Sequence, residues 1–202
     1  MLVIATGNPH KVREIRQGLE VEAVGLDHFG RPFEEPAETG TTFEENATIK
    51  AISYARQTGC PCLADDSGLI VDALGGAPGV ISSHYATDGR ETGASREARD
   101  EANNARLLRD LEGIADRRAR FVCVMVLAEP DGTVRAMVRG TFEGAIGEAG
   151  DVPRGTNGFG YDPLFVLEDG RTSAELSPDE KHARSHRGEA IRRMREHLDA
   201  FA

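Results

Sequence analysis

Apolar positions along the chain follow two rhythms. Short continuous runs, Leu2 to Ala5, Leu63-Ala64, Leu69 to Val71, Phe121 to Leu127 and Leu164 to Leu167, read as buried strands. Between them, apolar residues recur every three or four positions, as on helices with one inward stripe. Val12, Ile15 and Leu19 form such a stripe, with Asn8 as N-cap, Pro9 at the first helical position and Gly18 near the end. Phe43, Ala47, Ala51, Tyr54 and Ala55 form a second, opened by the capping box Thr42/Glu45 and closed by Gly59. Ser95 opens a third helix, Arg96 to about Leu111, with Ala98, Ala105, Leu108 and Leu111 expected inward. Ile191, Met194 and Leu198 mark a final helix. Val21 to Leu26 is a weaker strand, and Pro130-Asp131-Gly132 turns Phe121–Leu127 into Val134–Phe142 as a hairpin. The length, 202 residues, suits one α/β domain or a single two-lobed unit.

The most informative stretch is Leu63 to Gly76, where Asp65-Asp66-Ser67-Gly68 sits between two apolar runs. An apolar run that stops at a polar cluster looks like a strand delivering side chains to a sheet's end. Adjacent carboxylates repel unless a cation lies beside them, and a hard divalent ion such as Mg²⁺ prefers such oxygens. A solvated Asp-Asp-Ser-Gly turn is the alternative. Glu38, just before the second helix, is either a loop charge or a further carboxylate for a metal at Asp66.

Composition narrows the partners. The net charge of -10 argues against a broad nucleic-acid surface and permits a small anionic ligand held by a few local cations. No stretch approaches the roughly 18 apolar residues of a membrane span. The N-terminal run reads as a strand rather than a signal peptide. Cys60, Cys62 and Cys123 are odd in number and form no Cys-x-x-Cys pair, so a reducing cytoplasm is the expected compartment.

Three further loops carry candidate chemistry. Thr6-Gly7-Asn8-Pro9-His10-Lys11 joins a strand to a helix start, where N–H groups, the helix dipole and Lys11 attract anions; an ordinary strand-to-helix turn is the alternative. Arg154 to Pro163 combines three glycines with Phe159 and Tyr161, rings that can stack on a planar base or cover the core. Around Ser185, Lys181, His186 and Arg187 supply donors or a basic surface face. His182 and His186 are four apart, but Ala183 stands where a zinc-protease helix has Glu. Tyr85 to Gly93 reads as the loosest stretch.

Taken in order, Thr6-Gly7-Asn8 with Lys11, Glu38-Thr39-Gly40 before Phe43 to Ala47, Ala64 to Leu69, Gly75 to Gly79, Phe159-Gly160-Tyr161-Asp162-Pro163 and Ser185-His186-Arg187-Gly188 form a set. The chain thereby resembles the inosine/xanthosine triphosphate pyrophosphatases over nearly its full length, 1-202, as one domain. The resemblance implies a long twisted mixed α/β sheet with flanking helices, two lobes around a central cleft, and a homodimer. It implies Mg²⁺-dependent hydrolysis of deaminated purine nucleoside triphosphates (ITP, dITP, XTP) to monophosphate and pyrophosphate. By motif position, Thr6, Gly7, Asn8, Pro9, His10 and Lys11 would hold the phosphates. Glu38 and Asp66 would ligate Mg²⁺, with Asp66 as proton acceptor, and Ser67 would touch substrate. Phe159, Gly160, Tyr161, Asp162, Lys181, His186 and Arg187 would frame the base and sugar-phosphate. Donors there would favour the C6 oxygen of hypoxanthine or xanthine over adenine's amino group. His84 stands where the family often has Arg. A Maf-like pyrophosphatase acting on pyrimidine or modified nucleotides, and a nucleotide-binding module without turnover, are the competing readings.

Overall fold

The computed structural model describes residues 1–198 and 201, and of Pro9 and His10 the backbone alone. Its elements are β1 (Leu2–Ile4), α1 (Pro9–Gly18), β2 (Ala23–Gly25), α2 (Phe43–Thr58), β3 (Cys62–Val71), α3 (Arg96–Asp110), β4 (Arg118–Ala128), β5 (Val134–Ile146), β6 (Phe165–Val166), α4 (Pro178–Arg184) and α5 (His186–Arg195). The strands form one sheet in the order β2-β1-β3-β4-β5-β6. It is mixed: β1 pairs in parallel with β2 and with β3, where Val3 faces Cys62, and β6 is antiparallel to β5. The expected mixed sheet and flanking helices are therefore present. No helix among the described residues is long and apolar enough to cross a membrane.

The chain divides into two compact units, one of residues 1–67, 123–141 and 184–202, the other of 68–122 and 142–183. Strands β3, β4 and β5 each contribute residues to both. In the first unit, Leu2, Ile4 and Leu63 of the sheet pack with Ile15 of α1 and Ile191 and Met194 of α5. In the second, Leu69, Leu107 and Leu111 pack with the rings of Phe121, Phe142 and Phe165, the Phe121–Phe165 centroids being 4.6 Å apart. Each such side chain, fully buried, contributes about 1.5–3 kcal/mol.

Three sequence expectations change. The strand does not stop at Asp65-Asp66 but continues through Ser67 to Val71, because alternation sends neighbouring carboxylates to opposite faces, where each meets its own cation. On α3 the buried positions are Asn103 and Leu107, followed by Leu111 beyond the helix end, whereas Ala98 and Ala105 are exposed. Asn103 faces inward because its amide accepts from Ala86 N–H (2.7 Å) and donates to the carbonyls of Ser82 and Ser83. Tyr85 is buried, its hydroxyl donating to Asp110 at 2.6 Å under the Arg106 guanidinium, so the segment after it starts from a fixed point. The C-terminal helical region breaks at Ser185, whose Oγ caps α5 by accepting from Gly188 N–H.

Candidate active site

In the first unit, β3 carries two acids into two different surroundings. Asp65 shares its strand face with Leu63 and meets α1 and α5. Lys11 Nζ lies 2.9 Å from Asp65 Oδ2, and Arg187 Nη2 is 3.3 Å from the same oxygen. Burial alone would raise the Asp65 pKa, but Lys11, Arg187 and Lys50 outweigh it and hold the carboxyl well below its usual range. Arg187, itself buried, also donates to Glu14 (2.5 Å) and to Ser67 Oγ (3.0 Å). These carboxylates raise its pKa against burial, so it is permanently charged. The Cys123 thiol, 3.8 Å from Asp65, is pushed up to about 12 by burial and by that charge, and is inert.

Asp66 meets α2 instead. Lys50 Nζ is 2.8 Å from Asp66 Oδ1 and 3.2 Å from Glu38 Oε2. Glu38 is delivered by a loop tied to the helix it precedes. Asn46 Oδ1 accepts from Gly40 N–H, and Glu45 Oε2 accepts from the N–H groups of Thr41 and Thr42. The predicted capping box is complete. A Cβ at Gly40 would press on Glu45 Cβ at 2.6 Å and Asn46 Oδ1 at 2.7 Å, so this close approach requires glycine. Burial pushes the Asp66 pKa up to about 6, with Lys50 opposing it.

Charges in this cluster do not balance. Glu14, Glu38, Asp65 and Asp66 meet Lys11, Lys50 and Arg187, four negative against three positive. Asp66 Oδ2 and Asp65 Oδ1 are buried with no hydrogen-bond partner among the described residues, a costly state for a charged oxygen. A divalent cation beside Asp66 and Glu38 would offset the excess negative charge and give Asp66 Oδ2 a partner. No group of three or more His, Cys, Asp or Glu among the described residues is placed to hold a metal alone. Two carboxylates, completed by water and phosphate oxygens, are the usual protein share of a Mg²⁺ site.

The turn before α1 carries the candidate anion-binding groups. Asn8 N–H donates to Thr6 Oγ1 at 3.2 Å, and Asn8 C=O accepts from Val12 N–H to begin the helix. Lys11 uses one of its three N–H donors on Asp65, leaving others for a phosphate. Thr6 and Gly7 line a groove of about 650 Å³ together with Arg13 and Arg16. The side chains of Pro9 and His10, expected phosphate contacts, lie outside what is described.

The second unit holds the glycine–aromatic loop. Asp162 is buried with both oxygens engaged, Oδ1 by Ser173 Oγ (2.7 Å) and Oδ2 by Phe159 N–H (2.8 Å) and Lys181 Nζ (2.5 Å). Tyr161 OH donates to the Ser82 carbonyl, so this ring covers the core. Phe159 is half-buried, with Lys181 Nζ 5.5 Å and Arg96 Cζ 6.0 Å from its centroid. The trio expected at one helix start is distributed: Lys181 belongs to α4 and this unit, His186 and Arg187 to α5 and the first. The basic surface-face reading also gives way for Arg187, which is 3% exposed.

A model described as the Ham1 family matches residues 2–197. The chain belongs to the Ham1 family. Among relatives of this Ham1 protein, the dITP/XTP pyrophosphatase of Exiguobacterium is 50% identical, covering 99% of this chain and 97% of the relative. The dITP/XTP pyrophosphatase of Geobacter sulfurreducens is 48% identical, covering 98% and 96%. Of solved structures, a HAM1 protein from Coxiella burnetii superposes with a TM-score of 0.84 at 42% identity, covering 98% of each chain. The Staphylococcus aureus Ham1 protein gives 0.83 at 37% identity, again over 98% of each.

Two members of this charge cluster escaped the sequence reading, Lys50 and Glu14. Lys50 stands seven residues after Phe43 and four before Tyr54, inside the inward stripe of α2. A lysine at such a position needs an anionic partner, and that was the available signal. Glu14 lies on α1 beside the inward Ile15 and carried none.

Proposed function

We propose that this Ham1 enzyme is a nucleoside triphosphate pyrophosphatase that hydrolyses dITP, ITP and XTP to the monophosphate and pyrophosphate with Mg²⁺, keeping deaminated purines out of DNA and RNA. The observation that carries the reading is the convergence of Glu38 and Asp66 on Lys50, with Asp66 Oδ2 buried and unpartnered. The names of the relatives supply the substrate class.

Glu38 and Asp66 would hold the metal, which when bound neutralises phosphate charge and acidifies water. The chain's own residues do the rest. Thr6 Oγ1, the N–H groups opening α1 and the spare donors of Lys11 receive the phosphate tail. Asp65, kept ionised, fixes Lys11 while Arg187 fixes Asp65. Asp66 takes the proton of the attacking water, which the metal would acidify. Lys50 tempers the proton affinity of Asp66 and orients the carboxylate. Ser67, held by Arg187, contacts substrate. Phe159 stacks on the base, and Lys181 offers N–H donors to its oxo groups while Asp162 holds both. His186 completes the substrate contacts. The protein acts as a cytoplasmic homodimer, which size-exclusion chromatography with light scattering would check.

The test is incubation with ITP, XTP, GTP and ATP, and separately with CTP and UTP, in MgCl₂ with product identification. Rapid release of pyrophosphate from ITP and XTP, with ATP and GTP slow, is the expected result. Equal rates on all four, orthophosphate as product, or a preference for a pyrimidine triphosphate would overturn it.

A further inference from the structure

Two side chains of α3 grip the two peptide groups that flank one residue of the aromatic loop, Gly160. Gly160 N–H donates to Asp100 Oδ2 at 2.8 Å, and Asn104 Nδ2 donates to the Gly160 carbonyl at 3.1 Å. Positions 100 and 104 are one helical turn apart and so share a face. We infer that Asp100 and Asn104 are positioning residues for base recognition, clamping Gly160 so that the Phe159 ring is held at a fixed angle. This rests on the proposed stacking of Phe159 on the base.

Gly160 has φ +62°, while a Cβ there would meet nothing within 4 Å. Backbone conformation, not space, demands glycine, and a glycine in a loop loses much entropy on being fixed. An anchor on both of its backbone polar groups, the N–H and the C=O, offsets that cost. Phe159 is thus tied on its N-terminal side by Asp162, which accepts its N–H, and on its C-terminal side by α3. The Gly160 N–H is the one hydrogen-bond donor to Asp100 among the described residues, although burial disfavours the charged carboxyl and raises its pKa. The Asn104 amide is likewise oriented by an acceptor it must serve, which leaves its Oδ1 buried without a partner among the described residues.

The experiment compares Asp100→Ala, Asp100→Asn and Asn104→Ala with wild type. Its readouts are KM and kcat for ITP, inhibition by inorganic pyrophosphate, and hydrogen exchange at the Gly160 amide. Asp100→Ala should raise KM about tenfold, the scale of one lost hydrogen bond to a charged group, with kcat within about twofold. Pyrophosphate inhibition should not change, since pyrophosphate has no base. The Gly160 amide should lose protection, and Asp100→Asn, which keeps an acceptor oxygen, should restore both KM and protection. Wild-type KM with a still-protected amide in Asp100→Ala would overturn the inference, as would a joint loss of kcat and pyrophosphate binding. Wild type inert to ITP would sink the proposed function alone, and the Gly160 amide would then decide the clamp by itself.

Discussion

At the residue scale, Asp65 and Asp66 are neighbours in sequence and opposites in electrostatics. Burial pushes Asp66 up to about 6, so folded protein binds a proton there that unfolded protein, at the ordinary 3.8, has released. Between about pH 4 and 6 the folded state therefore holds more protons, and metal-free stability falls as pH rises through that window. The difference corresponds to about 3 kcal/mol. Asp65 has the opposite sign, adding stability that is lost only as pH drops below the ordinary carboxylate range. Urea unfolding across pH 4 to 8 should show the Asp66 decline in wild type and its flattening in Asp66→Asn, with ITP turnover down by about 10²–10⁴. Lys50→Met should move the acidic limb of kcat/KM to higher pH by about one unit, because removing a cation raises a neighbouring carboxyl; an unshifted limb would refute the role given to Lys50.

At the element scale, legibility depended on whether the signal was local. Thr42 and Glu45 spelled the start of α2, and the structure has both arms of the box. The continuity of β3 was not legible, because two acids and a Ser-Gly pair look like a turn until Lys11, Arg187 and Lys50 arrive from elsewhere in the chain. The face of α3 was misread for the same reason: Asn103 is inward on account of backbone groups at 82, 83 and 86 that no periodicity reports. The packing of α5 on β5 gives a further prediction. A Cβ at Gly140 would overlap the His186 carbonyl and crowd Ala190 N, both backbone atoms that cannot swing away. Gly140→Ala should therefore cost about 1–3 kcal/mol of stability, seen as a lower urea midpoint. It should also raise KM for ITP, since Arg187 rides on the first turn of α5.

For the whole molecule, an overall charge of -10 coexists with a cluster that gathers three cations around four acids. Under the proposed function, stability and ligand binding would be coupled through that cluster. Millimolar MgCl₂ without nucleotide should raise the melting temperature at pH 8, where Asp66 is ionised, and have little effect at pH 5, where it is protonated. EDTA should abolish ITP hydrolysis and added MgCl₂ restore it. A melting temperature indifferent to Mg²⁺ at both pH values would remove Glu38 and Asp66 as its ligands.

The unbroken run of β3 has a consequence for how the gene can change. Side chains on a strand obey parity, so one codon inserted between Cys62 and Asp65 would exchange the two acids between faces. Asp66 would then face Arg187 and Asp65 would face Lys50, with the total composition of acids and bases untouched. Length variation among descendants should accordingly collect in the irregular stretch 30–37, ahead of Glu38, and be purged from 62–71, even where the inserted residue is as harmless as alanine.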